Sequence, residues 1–348
     1  MLSHLGSNYL RLQHSVLGQP FRYGQEGVLI FFLLSGFVIY YSWHEFTGTK
    51  NFATFFYKRF KRIYPLFILS LGIAYFVVFW RHGLVPVDFR NLFGNLFMVQ
   101  GFDTDRGWKA TPYMDNNPLW SLSYEWWFYM MFYPIYRFVP SLWHKMFVVL
   151  IGFAGMAGEV KLPNIFFHIL ASFPLWWCGV EFAREYLETG NITIRRQLLT
   201  IGMLVVSALG YIIVANHWLH RGGLLTPIRF PVVKLRHYGV AILLVMIFFA
   251  WKRIRFKGFA CTFGPFEIFA GMSYGLYVIH YPIICDLRII HGRSWLFLGN
   301  VVCKVGLVLL LAYLAEEVLQ KRLNRWMDSW FKRHIRPASR DREPQASI

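Results

Sequence analysis

The stretch VLIFFLLSGFVIYYSW, residues 28–43, decides the fold class. It is apolar without interruption, carries no charge, and lacks the two-residue alternation of a half-buried strand. About 20 such residues cross the hydrocarbon core of a bilayer as a helix. A backbone in lipid satisfies its own polar groups only as a helix or a closed barrel, so the stretch reads as a helical span. Shortly afterwards KRFKRIYP, residues 58–65, gathers Lys58, Arg59, Lys61 and Arg62, closes on a proline, and runs into another apolar stretch. A cationic cluster at a helix mouth either anchors the cytoplasmic side of a span or holds phosphates.

Working outward, the composition extends this reading to the whole chain. Of 348 residues, 56% are hydrophobic, 20% aromatic and only 16% charged, which excludes an ordinary soluble domain. Nine apolar runs are long enough to consider as spans: 24–43, 64–80, 119–139, 143–158, 165–182, 198–215, 237–251, 267–285 and 295–318. The predicted architecture is all-α, a polytopic transmembrane bundle of nine to ten helices over 1–320, followed by a basic tail over 321–348 that starts as a helix end and frays. A net charge of +18 would suggest nucleic acid in a soluble protein. Here alternate loops put the larger share of Lys and Arg on the side of 44–63 and the tail, which follows the positive-inside rule, and no nucleic-acid partner is expected. The segment 216–236 is basic yet falls on the opposite side, where it would attract an anionic glycan.

Cys178, Cys261, Cys285 and Cys303 are isolated in or near apolar runs and make no metal or disulfide pattern, so no metal is expected. No cleavable signal precedes the first span. No internal repeat, P-loop or GxSxG elbow is visible. The opening MLSHLGSNYL reads as the last turn of an apolar helix, with the expectation that a further helix precedes Met1.

Polar residues within spans are expensive and mark function by default. Glu125, in LWSLSYEWWFYMMFYP, is the strongest: it either positions a catalytic group or binds a sugar hydroxyl, against the bland reading of a carboxyl bonded to a neighbouring helix. In MSYGLYVIHYPI, residues 272–283, Ser273, Tyr277 and His280 fall on one helix stripe, as chemistry or as an inter-helix seam. His4 is a candidate general base, since histidine titrates near neutrality. Arg59 and Arg62 share a face at i, i+3, and guanidinium suits bidentate phosphate binding. Gly24, Gly27 and Gly36, with Ser35, suit close helix approach, and Lys304, Glu181 and His168 read as structural.

Four runs, GVLIFFLLSGFVI, FFYKRFKRIYP, NPLWSLSYEWWFYMMFYP and MSYGLYVIHYPI, occur in this order over most of the chain. Together they resemble the acyltransferase-3 family of integral membrane acyltransferases. The resemblance implies about ten helices and a cytoplasmic acyl-coenzyme A donor, with acetyl-CoA usual. It implies an extracytoplasmic acceptor: a sugar, a lipid-linked glycan, peptidoglycan or a secreted small molecule, modified by O-acetylation. The family RxxR motif matches Arg59 and Arg62, at the mouth where coenzyme A phosphates would be held. The family histidine at the end of its first helix matches His4, with His14 as fallback, and the family Glu of the WSLxxE run matches Glu125. Ser35, Ser273, Tyr277 and His280 are expected to support the site. The family Arg one helical stretch before the histidine would lie before Met1. The location implied is the cytoplasmic (inner) membrane of a bacterium, tail inside, in contact with membrane lipid. A transporter or flippase of polar cargo is the alternative.

Overall fold

A computed structural model of the chain describes residues 24–103, 109–162, 164–220, 229–287 and 294–334. Its helices are α1 (Gly24–His44), α2 (Phe52–His82), α3 (Phe89–Leu96), α4 (Trp120–Phe138), α5 (His144–Lys161), α6 (Ile165–Thr189), α7 (Ile194–His220), α8 (Arg229–Arg253), α9 (Phe259–Thr262), α10 (Ser273–Tyr281), α11 (Ser294–Tyr313) and α12 (Lys321–His334). A two-residue strand pair, Phe102–Asp103 with Lys109–Ala110, folds the loop between α3 and α4.

Among the described residues, seven helical stretches are long and apolar enough to cross a membrane. They comprise α1, α2, α5 with its preceding turn, α6, α7, α8 and the composite stretch Gly264–Asp286. This is a multi-pass membrane protein. The run at 119–139 forms α4, whose Ser, Tyr and Glu content lowers its hydropathy. It is a core helix, with Ser121, Leu122, Ser123, Tyr124, Glu125 and Phe128 all buried.

Side-chain pairs fix the directions of the helices. Glu159 and His168 meet at one end of α5 and α6, and His144 and Arg184 at the other, so these two run antiparallel. Lys252, near the end of α8, bonds Asn191 just beyond α6, while Lys234, near its start, bonds Ser172. The tips of α2, α5, α7 and α12, with Lys252 and Arg253, gather at what is hereafter the basic end. The α3 segment and the described parts of the connection to α4, 83–103 and 109–119, gather at the loop end.

Where the sequence placed the cationic cluster at a helix mouth, the structure places it inside a helix. Helix α2 is 31 residues long and begins at Asn51, whose side chain accepts from Thr54 N at 2.8 Å. Pro65 neither ends nor starts it. A proline inside a helix strands the carbonyl four residues earlier, here that of Lys61, and the Gln320 amide donates to that oxygen at 2.7 Å. The same repair recurs at Pro282: the carbonyl four residues before it, Val278 O, accepts from Asn116 Nδ2 at 3.1 Å. Remote amides thus make in-helix prolines tolerable at both walls of the site described below.

The tail also differs from expectation over 321–334. Leu323, Trp326, Met327, Trp330 and Phe331 recur at i, i+3, i+4, i+7, i+8, and α12 packs against the start of α2 instead of fraying. Asp328 accepts from Tyr57 OH and Lys61 Nζ, each at 2.7 Å, and Tyr57 stacks on Phe331 at 4.0 Å. Residues 335–348 lie outside the described residues.

Candidate active site

Helix α1 presents one stripe at helical spacing, Gly24, Gly27, Val28, Phe31, Leu34, Ser35 and Val38, to a cavity of about 570 Å³. Its other walls are Arg59, Arg62 and Ile63 of α2, Glu125 and Tyr129 of α4, and Ser273, Tyr274 and Tyr277 of α10. Three of the four runs noted in the sequence therefore meet a fourth across one cavity, and the polar residue types of each run point to it.

Glu125 is 5% exposed, and its carboxyl is held by two hydroxyls. Ser35 Oγ donates to Glu125 Oε1 at 3.0 Å, and Tyr129 OH donates to the same oxygen. Ser35 and Tyr129 are 3.0 Å apart, and Trp176 Nε1 donates to Ser35 Oγ at 3.2 Å. This ring of four side chains from α1, α4 and α6 fixes the carboxyl in one orientation. A group oriented in that way can receive or position a proton without reorganising.

The two arginines differ. Arg62 Nη1 is paired with Glu316 at 2.9 Å and lies over the Tyr274 ring. Glu316 is itself buried and also accepts from Gly275 N at 3.0 Å, so it locks Arg62 to α10. Arg59 has no carboxylate within ion-pair distance among the described residues. Its Nη2 reaches Ser42 Oγ at 3.3 Å, its guanidinium lies near the Phe55 and Tyr129 rings, and its buried Nε has no hydrogen-bond partner among the described residues. An N–H left unsatisfied beside a cavity favours an anionic ligand there, because an unpaired buried donor costs about 1–3 kcal/mol.

Ser273 and Tyr277 of the predicted stripe reach the cavity; His280 does not. Its ring is buried, and Nδ1 lies 2.8 Å from Tyr277 O and 3.0 Å from Leu276 O. Tyr277 OH donates to Pro118 O and also bonds Ser121, tying α10 to the start of α4. Gly24 and Gly27 wall the cavity, and nothing lies within 4 Å of a Cβ at Gly27. Gly36 makes the close helix approach expected of it, and Gly27 does not. His4 and His14 lie outside the described residues. Lys304 bonds Ile284 O, Glu181 pairs with Lys145 and Arg184, and His168 bonds Glu159, all away from the cavity.

Tyr129, Tyr274, Trp176 and Glu316 are site residues that the sequence did not single out. Tyr129 had a signal, since it stands at i+4 from Glu125. The other three had none that is local. A second buried network, Lys234 on Ser172 at 2.6 Å with Tyr124 at 3.3 Å, fills the bundle behind α4.

A segment of 134 residues is 34% identical to acyltransferase MdmB of Streptomyces mycarofaciens, covering 34% of this chain and 30% of that protein. No solved structure matches. Residues 2–317 match the family described as an acyltransferase domain, and on that nearly complete match the chain belongs to the acyltransferase-3 family.

Proposed function

We propose that the protein is an integral membrane O-acyltransferase. It takes an acyl group, with acetyl the expected one, from acyl-coenzyme A at the basic end. It passes that group to a hydroxyl of an extracytoplasmic glycan or lipid-linked acceptor reaching in from the loop end. The observation that carries this reading is the single cavity in which Arg59, with its unpaired Nε, shares walls with Glu125 and its hydroxyl ring. The orientation is supported by charge: Lys50, Arg137, Arg195, Arg196, Lys252 and Arg253 crowd the basic end, in keeping with the excess of Lys and Arg on the cytoplasmic side of membrane proteins.

In this scheme Arg59 and Arg62 hold the donor phosphates. A base, assigned to His4 by resemblance and oriented by Glu125, removes the acceptor hydroxyl proton. The alkoxide oxygen bonds to the thioester carbonyl carbon, the C–S bond breaks, and coenzyme A leaves as the thiol after taking up a proton. Transfer of acetyl to histidine first, then to the hydroxyl, balances equally well.

Purified protein in lipid nanodiscs, given radiolabelled acetyl-CoA and an acceptor extract, tests the reading. Arg59→Gln should raise the apparent KM for acetyl-CoA about tenfold, the loss of one charge-assisted hydrogen bond. Arg62→Gln should raise it less, because Glu316 already engages that side chain. Unchanged KM in both variants would remove the arginines from donor binding, and cargo flux without label transfer would establish a transporter instead. His4→Ala should lower turnover about 10²-fold, whereas His14→Ala should leave it within twofold. The reverse pattern would move the base to His14.

A further inference from the structure

Helix α12 and the first turns of α2 enclose a second groove, of about 400 Å³, that the proposed chemistry does not use. Its walls are Phe56, Tyr57 and Phe60 on one side and Trp326, Met327 and Trp330 on the other. Trp326 is 64% exposed and Trp330 44% exposed, and Phe52 and Phe56 beside them are also exposed. Two indoles on the exposed part of an amphipathic helix at the mouth of a bundle match the preference of Trp for the bilayer–water boundary.

The charges say what kind of surface the helix meets. Within Lys321–His334 there are five Lys and Arg against a single acid, Asp328. That acid is consumed inward, by Lys61 and Tyr57 of α2. Asp328 and Phe331 therefore fasten one edge of α12 to the protein, while on the helical wheel Arg322 and Arg333 flank Trp326 on the opposite edge, with Arg325 beyond. The result is an apolar groove roofed by aromatic rings and rimmed by exposed guanidinium groups. An acyl chain fits the groove and an anionic headgroup fits the rim. Residues 335–348, IRPASRDREPQASI, are too polar to fill an apolar groove.

We infer that α12 lies in the plane of the membrane boundary and that its groove with α2 binds an anionic glycerophospholipid, acyl chain between the aromatic rings and phosphate against Arg322, the guanidinium beside Trp326. The site is walled by Tyr57 and Phe60 of α2, just before Lys61 and Arg62 on the same helix, so lipid bound there would also hold the basic end of α2 in place.

Native mass spectrometry of the full chain tests this, after exposure to vesicles of equal phosphatidylglycerol and phosphatidylcholine. Wild type should retain phosphatidylglycerol over phosphatidylcholine by about tenfold. Arg322→Gln should bring that ratio near one, and Arg325→Gln, on the far side of the helix, should change it little. Trp326→Ala with Trp330→Ala should lower retention of both lipids severalfold. Ala53→Phe, which fills the groove from the α2 side and removes nothing, should do the same. Equal retention of the two lipids by wild type, or retention unaltered in the monodisperse Ala53→Phe protein, would overturn the inference.

Discussion

Glu125→Ala is expected to lower acyl transfer about 10³-fold, and Glu125→Gln about 10²-fold, with both proteins still inserted in the membrane. The carboxyl is the shared acceptor of Ser35 and Tyr129, and Ser35 in turn accepts from Trp176. Alanine removes that acceptor and leaves two hydroxyls in a buried wall with one partner fewer. Each such loss costs about 1–3 kcal/mol when no water replaces it. It also removes the carboxyl proposed to orient the proton-transferring group, and 1.36 kcal/mol in the barrier is a factor of ten in rate. Glutamine keeps the shape and one acceptor, so it preserves the ring while losing the ability to take a proton. The two variants therefore separate structure from chemistry. If Glu125 only braces the bundle, Glu125→Gln should turn over at the wild-type rate, and Glu125→Ala should recover most activity when stabilised by lipid. Measured kcat and KM for acetyl-CoA, beside thermal midpoints from tryptophan fluorescence, decide between these outcomes. A loss in kcat with the midpoint unchanged in Glu125→Gln is the expected pattern.

Much of this was legible in local sequence, and what was not shares a cause. The apolar run 28–43 announced a span because lipid admits so few backbone solutions. Glu125, Arg59, Arg62, Ser35, Ser273 and Tyr277 stood out because each is a polar residue in an apolar or patterned context, and all line one cavity. Their partners did not stand out, because the contacts join distant parts of the chain. Ser35 and Glu125 are 90 positions apart, and Arg62 and Glu316 are 254 apart. The start of α2 was misread for the same reason. Pro65 looked like a boundary, and only the Gln320 amide, 259 positions from Lys61, makes it an interior residue. His280 shows the converse error: helical spacing placed it with Ser273 and Tyr277, yet its ring bonds carbonyls of its own helix. The helical tail was legible in its Leu323–Phe331 spacing, and was obscured by the density of surrounding Lys and Arg.

Gly179→Ala is expected to abolish a monodisperse folded peak or to lower the thermal midpoint by more than about 5 °C. The reason lies in how α1 meets α6. A Cβ at Gly179 would stand 1.9 Å from Leu33 O and 2.8 Å from Phe37 N. A Cβ at Gly36, on the facing helix, would stand 2.2 Å from Trp176 O and 3.3 Å from Val180 N. The crossing is thus reciprocal, backbone on backbone, as membrane helices achieve only with small residues. Backbone atoms cannot rotate aside as a side chain can, so a single methyl must part the helices by on the order of 1 Å to restore ordinary contact. Ser35 precedes Gly36 and bonds both Trp176 and Glu125, so parting α1 from α6 stretches those bonds at the same time. Overpacking of this kind costs typically 1–3 kcal/mol where neighbours can yield, and here they cannot. Gly72→Ala is the matched control: Gly72 lies within α2, nothing stands within 4 Å of its Cβ, and removing a helical glycine should stabilise by about 0.5–1 kcal/mol. Activity should follow stability in the crossing variants and remain at the wild-type level in Gly72→Ala. Were Gly179→Ala as stable as Gly72→Ala, α1 and α6 would have to cross farther apart than Gly36 and Gly179 place them, and the ring that holds Glu125 would lose its geometric basis.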